Sequence, residues 1–273
     1  RIIDATLAAL IRAVFAAVRS LGPDRSAAAG AWVARTLGPL FPAHRVALDN
    51  IRHAFPDKSA AEHRAILGDA WDNLGRVACE YVHMDRIWDA ALAEDGKPAL
   101  IFAAHLANWE IPAVAAAKHG LASAVLYRTP NNARIAADIV ALRMPIMGRL
   151  IAASPAAPVR MMEALDEGLH VGMLIDQRFG RGPRVPFFGR LAASNPLLPR
   201  LARRFPDVPV HGARVIRQPG GRFLLELTER IELPRAASGQ VDIDSATALL
   251  NRIVEDWIRE HPGQWLWMHR RWR

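Results

Sequence analysis

The sequence predicts an α/β protein: a mixed, mainly parallel sheet flanked by helices and preceded by an N-terminal helical region. Three observations predict it. From residue 98 onward, short apolar runs alternate with helix-length stretches, the pattern of β-α-β units covered by helices. Before residue 86 every apolar pattern has helical spacing. Hydrophobic residues make up 51% of the 273, enough for a sizeable core and too many for a disordered chain.

Residues 2–19 place Ile3, Leu7, Leu10, Ile11, Val14, Phe15 and Val18 on one helical face, with Asp4, Arg12 and Arg19 as the charges. Such an amphipathic helix either packs on the core or lies on a bilayer surface. Gly22-Pro23 ends it. A second helix is expected over 26–37, stopped by Gly38-Pro39. A third covers 43–55 and is broken by Pro56. Ser59-Ala-Ala-Glu62 is a capping-box pattern, which opens a longer helix reaching about residue 84. Residues 86–97 read as a connector. The expected organisation is a helical, membrane-associating region over 1–85 and an α/β core over 98–273, together forming one structural domain. The chain opens on Arg1, so an upstream segment is expected.

Within the core, strands are expected at 98–104, 122–127, 149–153 and 170–175, with helices at 109–119, 132–142 and 157–168. A loop rich in Gly, Pro and Arg follows to 194, then a helix near 195–205. Residues 208–216 and 222–228 read as a hairpin around Pro219-Gly220-Gly221, and 243–260 as a helix. The tail Gln264-Trp265-Leu266-Trp267 alternates as a strand with one buried face would, although Trp beside Arg also suits a membrane interface. Asp138, Arg143, Asp166 and Glu167 read as surface residues.

The net charge is +8, and lysine occurs only at Lys58, Lys97 and Lys118, so arginine supplies nearly all of it. An anionic partner follows: nucleic acid, an acidic membrane or an acidic protein. Between Gln177 and Pro206 stand seven arginines (178, 181, 184, 190, 200, 203, 204) and no acids. They form either a solvated basic face or a docking surface for phosphorylated lipid or an acidic carrier protein. A nucleic-acid partner is not expected, because Phe179, Phe187, Phe188 and Phe205 are the only aromatics among these basic residues and no recognition module is present. Cys79 stands alone, which excludes an internal disulfide framework and a cysteine-rich zinc site. No signal peptide and no charge-free run of about 18 apolar residues is evident.

The candidate site lies at the junction of the strand at 98–104 and the helix behind it. His105 ends the apolar run, and Glu110 follows after four residues. Pro112 lacks an amide hydrogen and so belongs in the first helical turn, which makes Asn108 the expected N-cap. Glu110 then sits where the helix dipole favours a carboxylate. His105 occupies the strand end where open α/β sheets place their sites. A hydrogen bond from His105 to Glu110 would fix the imidazole tautomer and free one nitrogen to act as general base. The chain has no Gly-x-Ser-x-Gly elbow, no His-Glu-x-x-His, no dinucleotide fingerprint and no Gly-Lys-Ser/Thr phosphate loop. A base without a protein nucleophile can deprotonate an external hydroxyl for direct attack on an acyl donor.

His105-x4-Glu110 resembles the His-x4-Asp/Glu motif of the glycerolipid acyltransferase superfamily. Further stretches are similar to its lipid A biosynthesis (lauroyl/myristoyl) branch. They are Asn50-Ile51 with Ala54-Phe55-Pro56, Trp71-x-Asn73-x-Gly75-Arg76 with Glu80, and Tyr127-Arg128 with Asn131. Asp176-Gln177 leads to Val185-Pro186-Phe187-Phe188-Gly189, and Gln264-Trp265-Leu266-Trp267 precedes His269-Arg270-Arg271-Trp272. The resemblance covers roughly residues 45–273. It implies a glycerol-phosphate acyltransferase-like fold and transfer of a fatty acyl chain from acyl carrier protein or coenzyme A to a hydroxyl of a lipid A precursor. It also implies work at the cytoplasmic face of the bacterial inner membrane, with no cofactor and no metal. Carried over, His105 is the base and Glu110 its partner, while Arg128, Asn131, Asp176 and Gln177 bind substrate. Many relatives have a second acid where this chain has Arg178. The alternatives are an acyltransferase for a lysophospholipid or another glycolipid, and a non-catalytic membrane-binding protein.

Overall fold

The computed structural model describes residues 2–87, 98–129 and 133–272. Helices open the chain: α1 (Ile2–Ser20), α2 (Pro23–Leu37), α3 (Pro42–Ala54) and α4 (Ala60–Glu80). The capping box starts α4 as expected: Ser59 Oγ accepts from the Glu62 amide, and the Glu62 carboxylate accepts from the Ser59 amide at 2.8 Å. Near its predicted end this helix tightens into a 3-10 turn at Tyr81–His83 and continues as the short α5 (Met84–Ile87). Most of the expected connector lies outside the described residues. Helices α2 and α4 pack closely through small residues. A Cβ on Gly75 would stand 2.1 Å from the Gly30 carbonyl oxygen, so this crossing needs glycine.

The core alternates as predicted through β1 (Leu100–Ala103), α6 (Ile111–Lys118), β2 (Ser123–Tyr127), α7 (Ala133–Arg143), β3 (Arg149–Ala152), α8 (Ala157–Asp166) and β4 (His170–Leu174). After β5 (Arg184–Phe187) and β6 (Arg190–Ala193) come α9 (Leu197–Arg204), β7 (Val210–Arg217), β8 (Phe223–Leu227) and α10 (Ile243–Glu260). The six-stranded sheet has the order β3-β2-β4-β1-β7-β8. Its pairings are parallel except for the antiparallel β7–β8 hairpin.

One expectation fails here. The stretch read as a loop to residue 194 contains a separate antiparallel pair, β5–β6. Its proline and glycine content hid the alternation of buried Val185 and Phe187 with exposed Arg184 and Pro186. Pro186 is tolerated because a two-stranded ribbon consists only of edges.

The two faces of the main sheet differ. Leu100, Phe102, Ala124, Val171 and Val210 point to one face and are buried with residues of α8, α9 and α10. There the Phe102 ring stacks on Trp257 with centroids 5.5 Å apart. Ile101, Val125, Gly172, Leu174 and His211 point to the other. That face is only partly covered, because α6 has eight residues, and the uncovered part is a cavity of about 710 Å³.

The tail returns to the site end of the sheet. Trp265 forms an antiparallel bridge with Leu106, and both Trp265 and Trp267 are fully buried. The buried face of this segment therefore holds, but the expected strand is reduced to this single bridge. Asn50 of α3 donates to the carbonyls of Trp267 (2.8 Å) and His269 (2.7 Å), which locks the tail to the helical region.

Candidate active site

Strand register builds the site. β1 and β4 are parallel neighbours, with Ala103 opposite Leu174. Two residues further along each chain, His105 and Asp176 come face to face, 71 positions apart in sequence. Asp176 Oδ1 accepts from His105 Nδ1 at 2.8 Å, and Oδ2 accepts from the His105 amide at 2.9 Å. The Trp265 indole donates to the same Oδ2 at 2.7 Å. Burial alone would raise the Asp176 pKa, but the His105 imidazole, its two hydrogen bonds and nearby His269 hold the carboxyl below the usual carboxylate range. An ionised carboxylate only accepts, so a proton sits on His105 Nδ1, and in the neutral imidazole Nε2 has the lone pair. The Gln177 amide lies 3.2 Å from Nε2, and the Trp109 ring sits beside the imidazole with centroids 5.1 Å apart.

The expected hydrogen bond between His105 and Glu110 is therefore replaced. Glu110 pairs instead with Arg143, and both side chains are largely buried. The Arg143 guanidinium also lies over the rings of Tyr81 (5.4 Å) and Tyr127 (5.8 Å). Arg143, read from the sequence as a surface residue, borders the cavity; nothing in its local sequence signals that. Asp138 does lie outside, paired with Arg12 at 2.9 Å. Asn108 is not the N-cap of α6; Glu110 occupies that position. Ala107 takes a left-handed conformation (φ 47°), and this turns the chain once more before the helix begins. Asn108 instead accepts from the Glu110 amide at 3.2 Å through its side chain.

His105, Trp109, Glu110, Arg128, Arg143, Gln177, Arg178 and Phe179 all border the cavity, whose deeper walls are Ile101, Val125, Leu150, Met173 and Leu174. The opening is polar and charged, and the interior apolar. Four of the expected site residues, His105, Glu110, Arg128 and Gln177, thus share one opening. Asp176 is fully buried behind it rather than exposed to bind substrate. Asn131 lies outside the described residues. The sequence reading missed Trp265 as an Asp176 donor and Asn73, Glu80 and Arg217 as the buried support of the 105–110 loop. The motifs holding Trp265, Asn73 and Glu80 were visible, Arg217 stood in none, and the contacts were not legible.

Among the described residues no group of three or more His, Cys, Asp or Glu side chains is arranged as metal ligands. Chemically, the arrangement offers a carboxylate-oriented imidazole whose free nitrogen meets the polar end of an apolar groove. No curated protein matches the chain. The family described as bacterial lipid A biosynthesis acyltransferase matches it over residues 1–273. The chain belongs to that family and is an acyltransferase.

Proposed function

We propose that this acyltransferase moves a fatty acyl chain from a carrier thioester to a hydroxyl of a lipid A precursor, with His105 as general base. The carrying observation is the imidazole itself: buried Asp176 orients it, and its free nitrogen stands at the mouth of an apolar cavity.

The acyl chain occupies the groove over Ile101, Val125, Gly172 and Leu174, with its thioester at the mouth. The acceptor hydroxyl gives its proton to His105 Nε2 as its oxygen attacks the thioester carbonyl. Asp176 stabilises the imidazolium that forms. The new C–O bond forms, the C–S bond breaks, and the imidazolium returns its proton to the departing thiolate. The acyl group never becomes attached to the protein. Arg128, exposed at the mouth, is placed for the developing oxyanion or an anionic headgroup. Glu110, held by Arg143, lines the acceptor side of the mouth.

Charge supports a carrier protein as donor rather than coenzyme A alone. The seven arginines between 178 and 204 are all exposed, and among the described residues none of them makes a salt bridge. An acidic carrier meets such a face favourably. Helix α2 supports action at a bilayer surface. It turns small residues, Ala27, Gly30 and Ala31, inward and leaves Trp32 at 69% exposure, with Leu40 and Phe41 just beyond at 78% and 57%. Among the described residues no helix is long and apolar enough to cross a membrane.

The test is acyl transfer from an acyl carrier protein thioester to a lipid A precursor, measured with wild type and His105→Ala. Wild type transfers and the variant loses at least about 100-fold. Equal activity of the two removes His105 as base. Transfer to lysophospholipid with none to the lipid A precursor overturns the acceptor assignment.

A further inference from the structure

The loop carrying His105 and Glu110 contains a conformation that alanine does not favour, and a buried polar network surrounds it. Ala107 has φ 47° and is fully buried. Its amide donates to the Gln264 carbonyl at 2.9 Å, and its own carbonyl accepts from Asn73 Nδ2 at 3.1 Å. Asn73 Nδ2 also donates to the Gln264 carbonyl at 3.0 Å, and Asn73 Oδ1 accepts from Arg217 Nε at 3.0 Å. The two Arg217 Nη atoms both donate to Glu80, whose Oε2 accepts as well from Asn108 Nδ2 at 2.9 Å. The Gln264 side chain bonds the Arg217 backbone on both sides, at 2.8 and 3.1 Å. The Leu266 amide closes the circuit on the His105 carbonyl at 3.0 Å.

We infer that Glu80, Asn73 and Arg217 are positioning residues that hold Ala107 in its left-handed conformation, and thereby hold His105 and Glu110 at the cavity mouth. They come from α4 and the end of β7, and none of the three borders the cavity. They act on the reaction only through the loop. Two elements remote in sequence, joined by Gln264 of the tail, thus converge on one strained peptide. This explains why the helical region and the tail are fastened to the back of the site. Left-handed alanine is unfavourable by an amount worth about fivefold or more in population, so without the network the loop relaxes and carries His105 and Glu110 away.

The inference rests on the acyl-transfer reading for its activity readout, and a second readout is independent of it. Asn73→Ala removes the two hydrogen bonds donated by Asn73 Nδ2 and the one its Oδ1 accepts from Arg217 Nε, and leaves the Glu80–Arg217 ion pair in place to keep the protein folded. Its kcat falls about tenfold with KM for the acceptor nearly unchanged. Ala107→Gly alone stays near wild type. Added to Asn73→Ala it restores several-fold of the lost kcat, because glycine takes positive φ without cost. In parallel, hydrogen exchange at the Ala107 and Leu266 amides speeds up in Asn73→Ala, while amides of α10 do not change. The glycine substitution slows exchange at Leu266 again. A double variant no better than Asn73→Ala in either readout overturns the inference. A wild type without transfer activity removes the acyl-transfer reading, and the exchange comparison still decides the role of the network. Glu80→Ala, which strands Arg217, gives the same pattern more severely; unaltered exchange at Leu266 in that variant also overturns it.

Discussion

Asp176 is the residue on which His105 depends. Its carboxylate accepts from Nδ1, so in the neutral imidazole the lone pair is on Nε2, at the cavity mouth. Asp176→Asn keeps the shape but presents an amide that satisfies the His105 amide and the Trp265 indole poorly and removes the charge. We expect kcat to fall at least about 100-fold with little change in KM, measured by initial rates. His269 gives a stability prediction. Burial holds its imidazole down to about 4 from 6.5. Between those values the unfolded chain binds a proton that the folded one does not. Stability therefore falls as pH drops from about 6.5 to about 4 and is unaffected above that window. The full effect is roughly 3 kcal/mol. His269→Gln should flatten this slope in denaturant unfolding followed from pH 7 to pH 4.5; an unchanged slope would place the titration elsewhere. The pairing of His105 with Asp176 was half legible. The positions of His105 and Asp176 at strand ends follow from apolar runs, but their partnership needs the strand order.

At the scale of elements, the β5–β6 ribbon and α9 carry Arg184, Arg190, Arg200, Arg203 and Arg204, exposed and in no salt bridge among the described residues, while Arg143, Arg214 and Arg217 are tied to carboxylates. Reversing Arg200, Arg203 and Arg204 to Glu should weaken binding of acyl carrier protein at least about tenfold at low salt and less at high salt, because exposed charges are screened. Titration calorimetry at two ionic strengths checks this, and binding equal to wild type at low salt counts against the docking face. For α2 and the turn after it, Trp32→Ser with Leu40→Ser and Phe41→Ser should reduce co-sedimentation with anionic vesicles and leave the melting temperature nearly unchanged, since these side chains are exposed. Helix positions were the most legible part of the chain: α10 and the capping box of α4 lie where periodicity and Ser59/Glu62 put them. The β5–β6 ribbon was not legible, because its alternation spans only four residues per strand amid glycine and proline.

Over the whole molecule, the decisive feature is the asymmetry of the sheet. One face is sealed by α8, α9 and α10, and the other is left partly open over the apolar groove. Gly172 sits in the floor of that groove, and a Cβ there would meet nothing nearer than Val125 Cγ2 at 4.0 Å. Gly172→Leu should fill the space and shift the donor preference toward shorter chains. The longest chain accepted by wild type should lose about tenfold more than a chain several carbons shorter. A series of thioester lengths reads this directly, and a uniform loss at every length would mean that the groove does not hold the chain.

By itself, the sequence determined the helical region, the α/β alternation, the strand-to-helix junction at His105 and the excess of arginine. These depend on spacing within a few turns or on composition, which a single chain displays directly. Only the tertiary structure decided which carboxylate serves His105. Glu110 is near in sequence, but the left-handed turn at Ala107 and the salt bridge to Arg143 direct it elsewhere, while the parallel register of β1 and β4 brings Asp176 to the imidazole. Hydrogen-bond partners are chosen by register and strand order, and neither can be read from local spacing.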